Sequence, residues 1–141
     1  MNMKYLGCSP VDGSSTFRVT ITPLFDDQGA SSISIQQTLD QPDCVAHEPL
    51  LLFETSYGNV PAYHFTEDNV VAFDDAGSLP VYFTNKKSSN SSDQEWRVKR
   101  NTSGNVVLQF VVFPRNLDIT TPMGPRVDMR RDQGGLIAVG R

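Results

Sequence analysis

Apolar and polar side chains alternate along the first part of the chain as they do in β-strands. Residues 17–22 read Phe-Arg-Val-Thr-Ile-Thr, with an apolar side chain at every second position. Because successive side chains of a strand point to opposite faces, this pattern predicts a strand with one buried face. Pro23 lacks an amide proton, so it ends that strand or places it at a sheet edge. Turn residues at 26–29 separate it from a second alternating strand at 31–38.

The later segments continue the same pattern. Residues 50–53, Leu-Leu-Leu-Phe, are apolar on both faces, which predicts a central strand. We expect residues 70–73 to form a hairpin with 79–84, and 95–99 to form a second hairpin with 105–113. There is no convincing helical period, and about eight strands separated by turns predict an all-β fold, namely an antiparallel β-sandwich.

The last part of the chain differs from the rest. Residues 1–115 are assigned to the sandwich core, and residues 116–141 to an irregular C-terminal tail or linker. Residues 115–141 have five arginines and three aspartates, whereas the whole chain carries a net charge of −4. The tail also contains an apolar run at 136–139, which we expect to dock on a partner protein or a following domain. A homo-oligomer is an open alternative.

Composition narrows the classes of function. A length of 141 residues fits one domain. The pI near 5.0 argues against a nucleic-acid partner. The N-terminus has no apolar leader and no stretch is long enough to cross a membrane, so we expect a cytoplasmic protein without a membrane partner. The triplets that begin at Asn90 and Asn101 match the glycosylation pattern and are interpreted as chance in that setting.

The two cysteines, Cys8 and Cys44, do not have the spacing of a metal or redox motif. We expect buried or half-buried thiols in a reducing compartment. A disulfide between them is an alternative that the sequence leaves open.

The common catalytic motifs are absent from the sequence. The two histidines, His47 and His64, do not form an H-E-x-x-H pair, and there is neither a nucleophile elbow nor a phosphate loop. We therefore expect no metal and no cofactor. Residues that carry acid–base or binding chemistry are still present. The candidate catalytic residues are Asp128, His64 and Glu54. The candidate substrate-binding residues are Tyr63, Trp96, Arg126 and Arg130.

Two of these candidates carry specific interpretations. Asp128, Arg126 and Arg130 lie at strand spacing, so they form either a surface row of ion pairs or a carboxylate flanked by arginines in a pocket. Trp96 lies on an alternating strand, so it is either a core residue or an exposed platform on which a ligand stacks.

Four stretches of the chain resemble the N-terminal β-sandwich domain of the glycyl-aminopeptidase-like zinc metallopeptidases. The first is the opening strand pair at 5–10 and 17–24, and the second is the strand and aromatic loop at 50–65. The third is the pair 70–77 and 95–98, and the fourth is the closing segment 132–136. The family's Trp-Pro-Gly loop is replaced here by 53–58, Phe-Glu-Thr-Ser-Tyr-Gly. The family's zinc ligands lie in a following domain that is absent from this chain. The resemblance therefore implies a scaffold without catalytic residues of its own.

Three functions follow as hypotheses. The first is a non-catalytic accessory domain that packs on a catalytic domain or partner through its tail, and it predicts an exposed apolar patch. The second is a small cofactor-free lyase, isomerase or cyclase that performs acid–base chemistry on a small organic molecule in a sandwich pocket. The third is a carbohydrate- or peptide-binding module, which predicts an exposed Trp96 indole.

Overall fold

The fold is known from a computed structural model. It describes residues 3–5, 17–57, 60–61, 65–87, 91–114, 129–132 and 135–138, with side chains described at 17–56, 65–87 and 91–114. The twelve strands are β1 (Met3–Tyr5), β2 (Phe17–Asp26), β3 (Gly29–Leu39), β4 (Pro49–Tyr57), β5 (Val60–Pro61), β6 (Val70–Asp74), β7 (Gly77–Ser78), β8 (Val81–Lys87), β9 (Ser91–Val98), β10 (Val106–Val112), β11 (Met129–Asp132) and β12 (Gly135–Ala138).

Ten of these strands form two antiparallel five-stranded sheets, and β11 and β12 pair with each other. The first sheet has the order β1-β4-β9-β8, with β5 paired to β4, and the second has the order β2-β3-β10-β6-β7. Eight strands of the two sheets have three or more residues, and the described residues include no helix. The predicted all-β, sandwich-like fold is confirmed, and 50–53 belongs to β4, a strand with neighbours on both sides.

The first predicted hairpin is correct at its turn, where β6 pairs with the short strand β7, but its continuation as a pair of β6 and β8 is wrong. The second predicted hairpin is wrong. The chain changes sheets after β7 and again between β9 and β10. β6 belongs to the second sheet and β8 to the first, whereas β9 belongs to the first and β10 to the second. The first crossing passes through Leu79 and Pro80, and Leu79 is almost completely buried. Proline has no amide proton for a ladder bond and the buried leucine anchors the crossing in the core. Apolar and polar residues alternate in the same way whether two consecutive strands pair within one sheet or lie in opposite sheets. The sequence pattern therefore does not distinguish a hairpin from a crossing between sheets.

Aromatic side chains join the two sheets in the core. The ring of Phe53 on β4 lies 4.5 Å from that of Phe65 and 5.2 Å from that of Phe110 on β10, measured between centroids. Trp96 on β9 meets Phe53 edge-on at 6.2 Å. Edge-to-face contacts at these distances add to the stabilisation from apolar burial. This cluster fixes the distance between the sheets.

The loop between β3 and β4 docks on the β9–β10 connection. The backbone amide and carbonyl of Cys44 bond to the hydroxyl and amide of Thr102, at 3.0 and 2.9 Å. The amide of Ala46 donates to Oδ1 of Asn101 at 2.9 Å. These bonds give the polar backbone of both connections internal partners and hold one end of the sandwich rigid.

The tail contributes a hairpin of β11 and β12, whose backbone is described. β12 lies close to β3 of the second sheet. The side chains of both strands are outside the described set. The domain boundary near residue 115 and the docking of 136–139 on a partner therefore remain predictions.

Candidate functional site

The strand β2 exposes an unusual amount of apolar surface. All ten of its residues are exposed. Its large apolar side chains retain these fractions of their surface: Phe17 46%, Val19 41%, Ile21 60%, Leu24 39% and Phe25 73%. Contiguous apolar patches of this kind mark binding surfaces more often than isolated exposed residues do.

Strand register shows which way this apolar surface faces. Phe17 lies opposite Leu39 of β3, and Ile21 lies opposite Ile35. Directly opposite residues of antiparallel strands point to the same face of the sheet. Because Leu39 belongs to the core and Ile35 packs against it, the side chains of Phe17 and Ile21 point to the inner face of the second sheet.

Within the described residues, the strand that packs closely against β2 is β3 of its own sheet. At the other end of this sheet β6 lies against β8 of the first sheet, which covers the core there. β2 is the edge strand of the second sheet, and its inward residues keep 41–60% of their surface at Phe17, Val19 and Ile21. We call the inward-facing residues Phe17, Val19 and Ile21, together with the exposed Phe25 at the end of the strand, the β2 stripe.

The free edge of β2 is less suited to strand addition than its face is to docking. Pro23 removes one amide donor from the strand, and proline on an edge strand is a common protection against pairing with other chains. The pairing with β3 also shifts register between Leu24 and Phe25, and Ser31 Oγ donates to the Leu24 carbonyl at 3.2 Å. Bulges of this type bend the strand and increase its twist. The β2 stripe is therefore available mainly through its face.

The predicted buried face of residues 17–22 is the main error of the sequence interpretation. The strand exists, and its position at an edge agrees with the interpretation of Pro23. Its apolar side, however, is exposed. Alternation shows that a strand has one apolar side, but it does not reveal whether the covering layer belongs to the same chain.

A second feature is a buried ion triad on the outer face of the first sheet. Glu95 on β9 is only 1% exposed and binds Lys86 Nζ and Arg97 Nη2. Burial raises the pKa of Glu95, but the bonds from Lys86 and Arg97 outweigh it, so its pKa lies below the ordinary value. A satisfied ion pair of this kind is a structural element, because both carboxylate oxygens have cationic partners.

Beside the triad lies a surface pair of acid–base side chains. The ring Nδ1 of His47 lies 3.1 Å from the hydroxyl of Tyr82. The backbone φ angle of His47 is 71°, a left-handed conformation that residues other than glycine rarely adopt. Its amide bonds to the Val98 carbonyl at 2.7 Å, and its own carbonyl accepts from Arg97, which explains how the conformation is held. The sequence interpretation named His47 only as half of an absent metal pair, and no local signal predicts its contact with Tyr82.

Two of the predicted site residues have described side chains, and they lie on opposite faces. Trp96 is completely buried and points into the core, so the stacking-platform role is wrong and the core interpretation is confirmed. The reason is its register: Trp96 lies opposite Leu51, which is also buried. Glu54 lies opposite Asp93 on the other face of the first sheet and is half-buried. A shared substrate site for Trp96 and Glu54 does not exist.

The other predicted site residues lie outside the described side chains. These are Tyr63, His64, Arg126, Asp128 and Arg130, of which Arg130 has a described backbone in β11. Their proposed roles in acid–base chemistry and substrate binding remain predictions.

Cys44 is almost completely buried and is disulfide-bonded. The expectation of reduced thiols is therefore wrong for Cys44. Structural disulfides are typical of oxidising compartments, and this weighs against the expected cytoplasmic location, which remains untested. The described part of the chain contains no helix, and therefore no helix that is long and apolar enough to span a bilayer. Across the same residues, no three His, Cys, Asp or Glu side chains are grouped as metal ligands.

Comparison with known proteins returned no matching family model, no matching curated protein and no matching solved structure. The interpretation of the chain's function therefore depends on its own geometry.

Proposed function

We propose that this chain is a non-catalytic β-sandwich module that packs on a partner protein or catalytic domain, and that the β2 stripe is part of the docking surface. The observation that carries the proposal is the exposure of large apolar residues on β2, 60% at the inward-facing Ile21 and 73% at Phe25. An accessory domain is expected to have such a patch, because its apolar surface is completed by another body.

The energetics favour a covered state. Full burial of a large apolar side chain stabilises by about 1.5–3 kcal/mol relative to exposure. Phe17 and Val19 are already about half covered, so Ile21 and Phe25 have the most surface left to bury. Covering these two side chains would contribute roughly 2–4 kcal/mol before the cost of association.

The resemblance to metallopeptidase N-terminal domains implies that the covering body is a catalytic domain of that class. The β2 stripe adds a surface for this docking on the sandwich itself, in addition to the tail run at 136–139. Glu54 and the surface pair of His47 and Tyr82 take no part in the proposed docking.

The proposal is tested by the binding of an apolar-surface dye to the purified chain. We expect saturable binding to the wild-type chain and a large loss of binding in the double variant Ile21→Thr, Phe25→Thr. Threonine keeps a high β-propensity, so the strand is retained while its apolar surface is reduced.

The matched control is the double variant Val71→Thr, Phe73→Thr. These residues of β6 have similar exposures, 44% and 41%, but lie on the outer face of the second sheet. We expect the control variant to bind the dye as the wild type does. A wild-type chain that binds no dye, or an equal loss in both double variants, would refute the proposal.

A further inference from the structure

The turn between β9 and β10 carries the triplet Asn101-Thr102-Ser103, which has the pattern of an acceptor for N-linked glycosylation. The sequence interpretation attributes it to chance, because no secretory leader is recognised and the triplet lies in a Ser/Asn-rich loop, and it expects a reducing compartment for the cysteines. The disulfide of Cys44 removes that expectation. The geometry of the triplet therefore decides its role.

Asn101 lies in an exposed position on a turn between the two sheets. Its Oδ1 accepts the amide proton of Ala46 at 2.9 Å. An amide proton requires an acceptor, so this bond assigns the oxygen and the nitrogen of the side-chain amide. The Nδ2 atom therefore takes no part in this bond to the loop.

The backbone around the acceptor is held from both sides. Thr102 bonds to Cys44 through its amide and its hydroxyl, and the Ser103 amide donates to Oδ2 of Asp74 at 3.0 Å. The third residue of the triplet uses its backbone in this contact, and its position is exposed. The hydrogen bonds that hold this connection thus do not use Nδ2 of Asn101, the atom to which a glycan would be bonded.

We propose that Asn101 is a glycosylation site, and that this chain is made in a secretory compartment. In the reaction, Nδ2 of Asn101 forms a bond to C1 of the first sugar of a lipid-diphosphate-linked oligosaccharide. The bond between C1 and the phosphate oxygen breaks, the lipid diphosphate leaves, and the amide loses one proton. The hydrogen bond from Ala46 to Oδ1 is unchanged by this step. The inference does not depend on the docking role of the β2 stripe.

The test is expression of the full chain behind a cleavable secretory leader in cultured eukaryotic cells. The total chain, intracellular and secreted, is treated with peptide N-glycosidase and its peptides are analysed by mass spectrometry. We expect a discrete fall in apparent mass, with the glycan on the peptide that contains Asn101.

Two variants of Ser103 provide matched controls. Ser103→Ala removes the hydroxyl that the acceptor pattern requires but keeps the backbone bond to Asp74, so we expect loss of the Asn101 glycan in a folded chain. Ser103→Thr keeps the pattern, so we expect the glycan to be retained. An unmodified Asn101 peptide in the wild-type chain, or a glycan that persists in Ser103→Ala, would overturn the inference.

Discussion

Replacing Asp74 by asparagine tests a buried ion pair that joins two connections of the sandwich. The carboxylate of Asp74 at the end of β6 is completely buried and accepts Arg100 Nη1 and Nη2 at 2.6 and 2.8 Å. It also accepts the amides of Ser103 and Ala76 at 3.0 and 2.9 Å. Four donors therefore converge on one carboxylate, which ties the β6–β7 turn to the β9–β10 connection.

The expected loss follows from the pairing of donors and acceptors. Each carboxylate oxygen of Asp74 accepts one proton from Arg100 and one from a backbone amide. In the asparagine variant an NH₂ group replaces one of these oxygens, so a donor faces two other donors. Loss of two charge-assisted bonds at a buried group costs about 3 kcal/mol. We expect Asp74→Asn to lower the free energy of unfolding by about that amount at neutral pH.

The pH dependence has a definite sign. The bond to Arg100 lowers the pKa of Asp74 below its ordinary value, and the amides of Ser103 and Ala76 act in the same direction against desolvation. A carboxyl with a lowered pKa in the folded state stabilises the fold above its unfolded pKa of about 3.9. That stabilisation is lost as pH falls through the folded pKa. The difference between wild type and Asp74→Asn should therefore shrink in acid.

Urea unfolding, followed by the fluorescence of Trp96, measures this difference, because Trp96 is the only tryptophan in the chain. The neighbouring exposed carboxylate Asp75 provides the control, and we expect Asp75→Asn to change stability by less than about 0.5 kcal/mol. Equal losses in the two variants, or a difference that grows in acid, would refute the reasoning.

Three further outcomes follow from the packing. Phe53→Ala should destabilise by about 3–5 kcal/mol in urea unfolding, since Phe53 is 1% exposed and touches aromatic rings of both sheets; a loss below about 1 kcal/mol would contradict the packing. Gly104→Ala should cost about 1–2 kcal/mol in the same assay, because φ is +65° there and a Cβ would meet the Asp75 side chain; an unchanged midpoint would argue against that backbone. Trp96 emission should be blue-shifted in the native chain and move to the red on unfolding, because the indole is completely buried; native emission typical of a hydrated indole would contradict its position.

Local chemistry made much of the fold predictable. The alternation at 17–22, the double-sided apolar run at 50–53 and the apolar strand ending before Pro114 each correspond to strands, and Asp26 Oδ1 accepts the Gln28 amide in the predicted turn. These signals depend on neighbours along the chain, which the sequence shows directly.

The pairing of strands and the candidate site could not be predicted in the same way. Whether β6 pairs with β8 or faces it depends on contacts between distant residues, and the crossing at Leu79 and Pro80 leaves no mark in the alternation. The exposure of β2 depends on which residues distant in the sequence pack against its face. The contact of His47 with Tyr82 joins residues of separate elements. Tertiary geometry decided each of these features.

The free energy of unfolding of Ile21→Thr tests the central claim most directly, with Val106→Thr as the control from the buried strand β10. The Ile21 side chain lies outside the core of the chain at 60% exposure, whereas Val106 is completely buried. We expect Ile21→Thr to change the stability of the isolated chain by less than about 0.5 kcal/mol, and Val106→Thr to cost about 1–3 kcal/mol. A loss of about 2 kcal/mol or more in Ile21→Thr would show that the β2 stripe is buried by this chain itself, and would contradict its assignment as a docking surface.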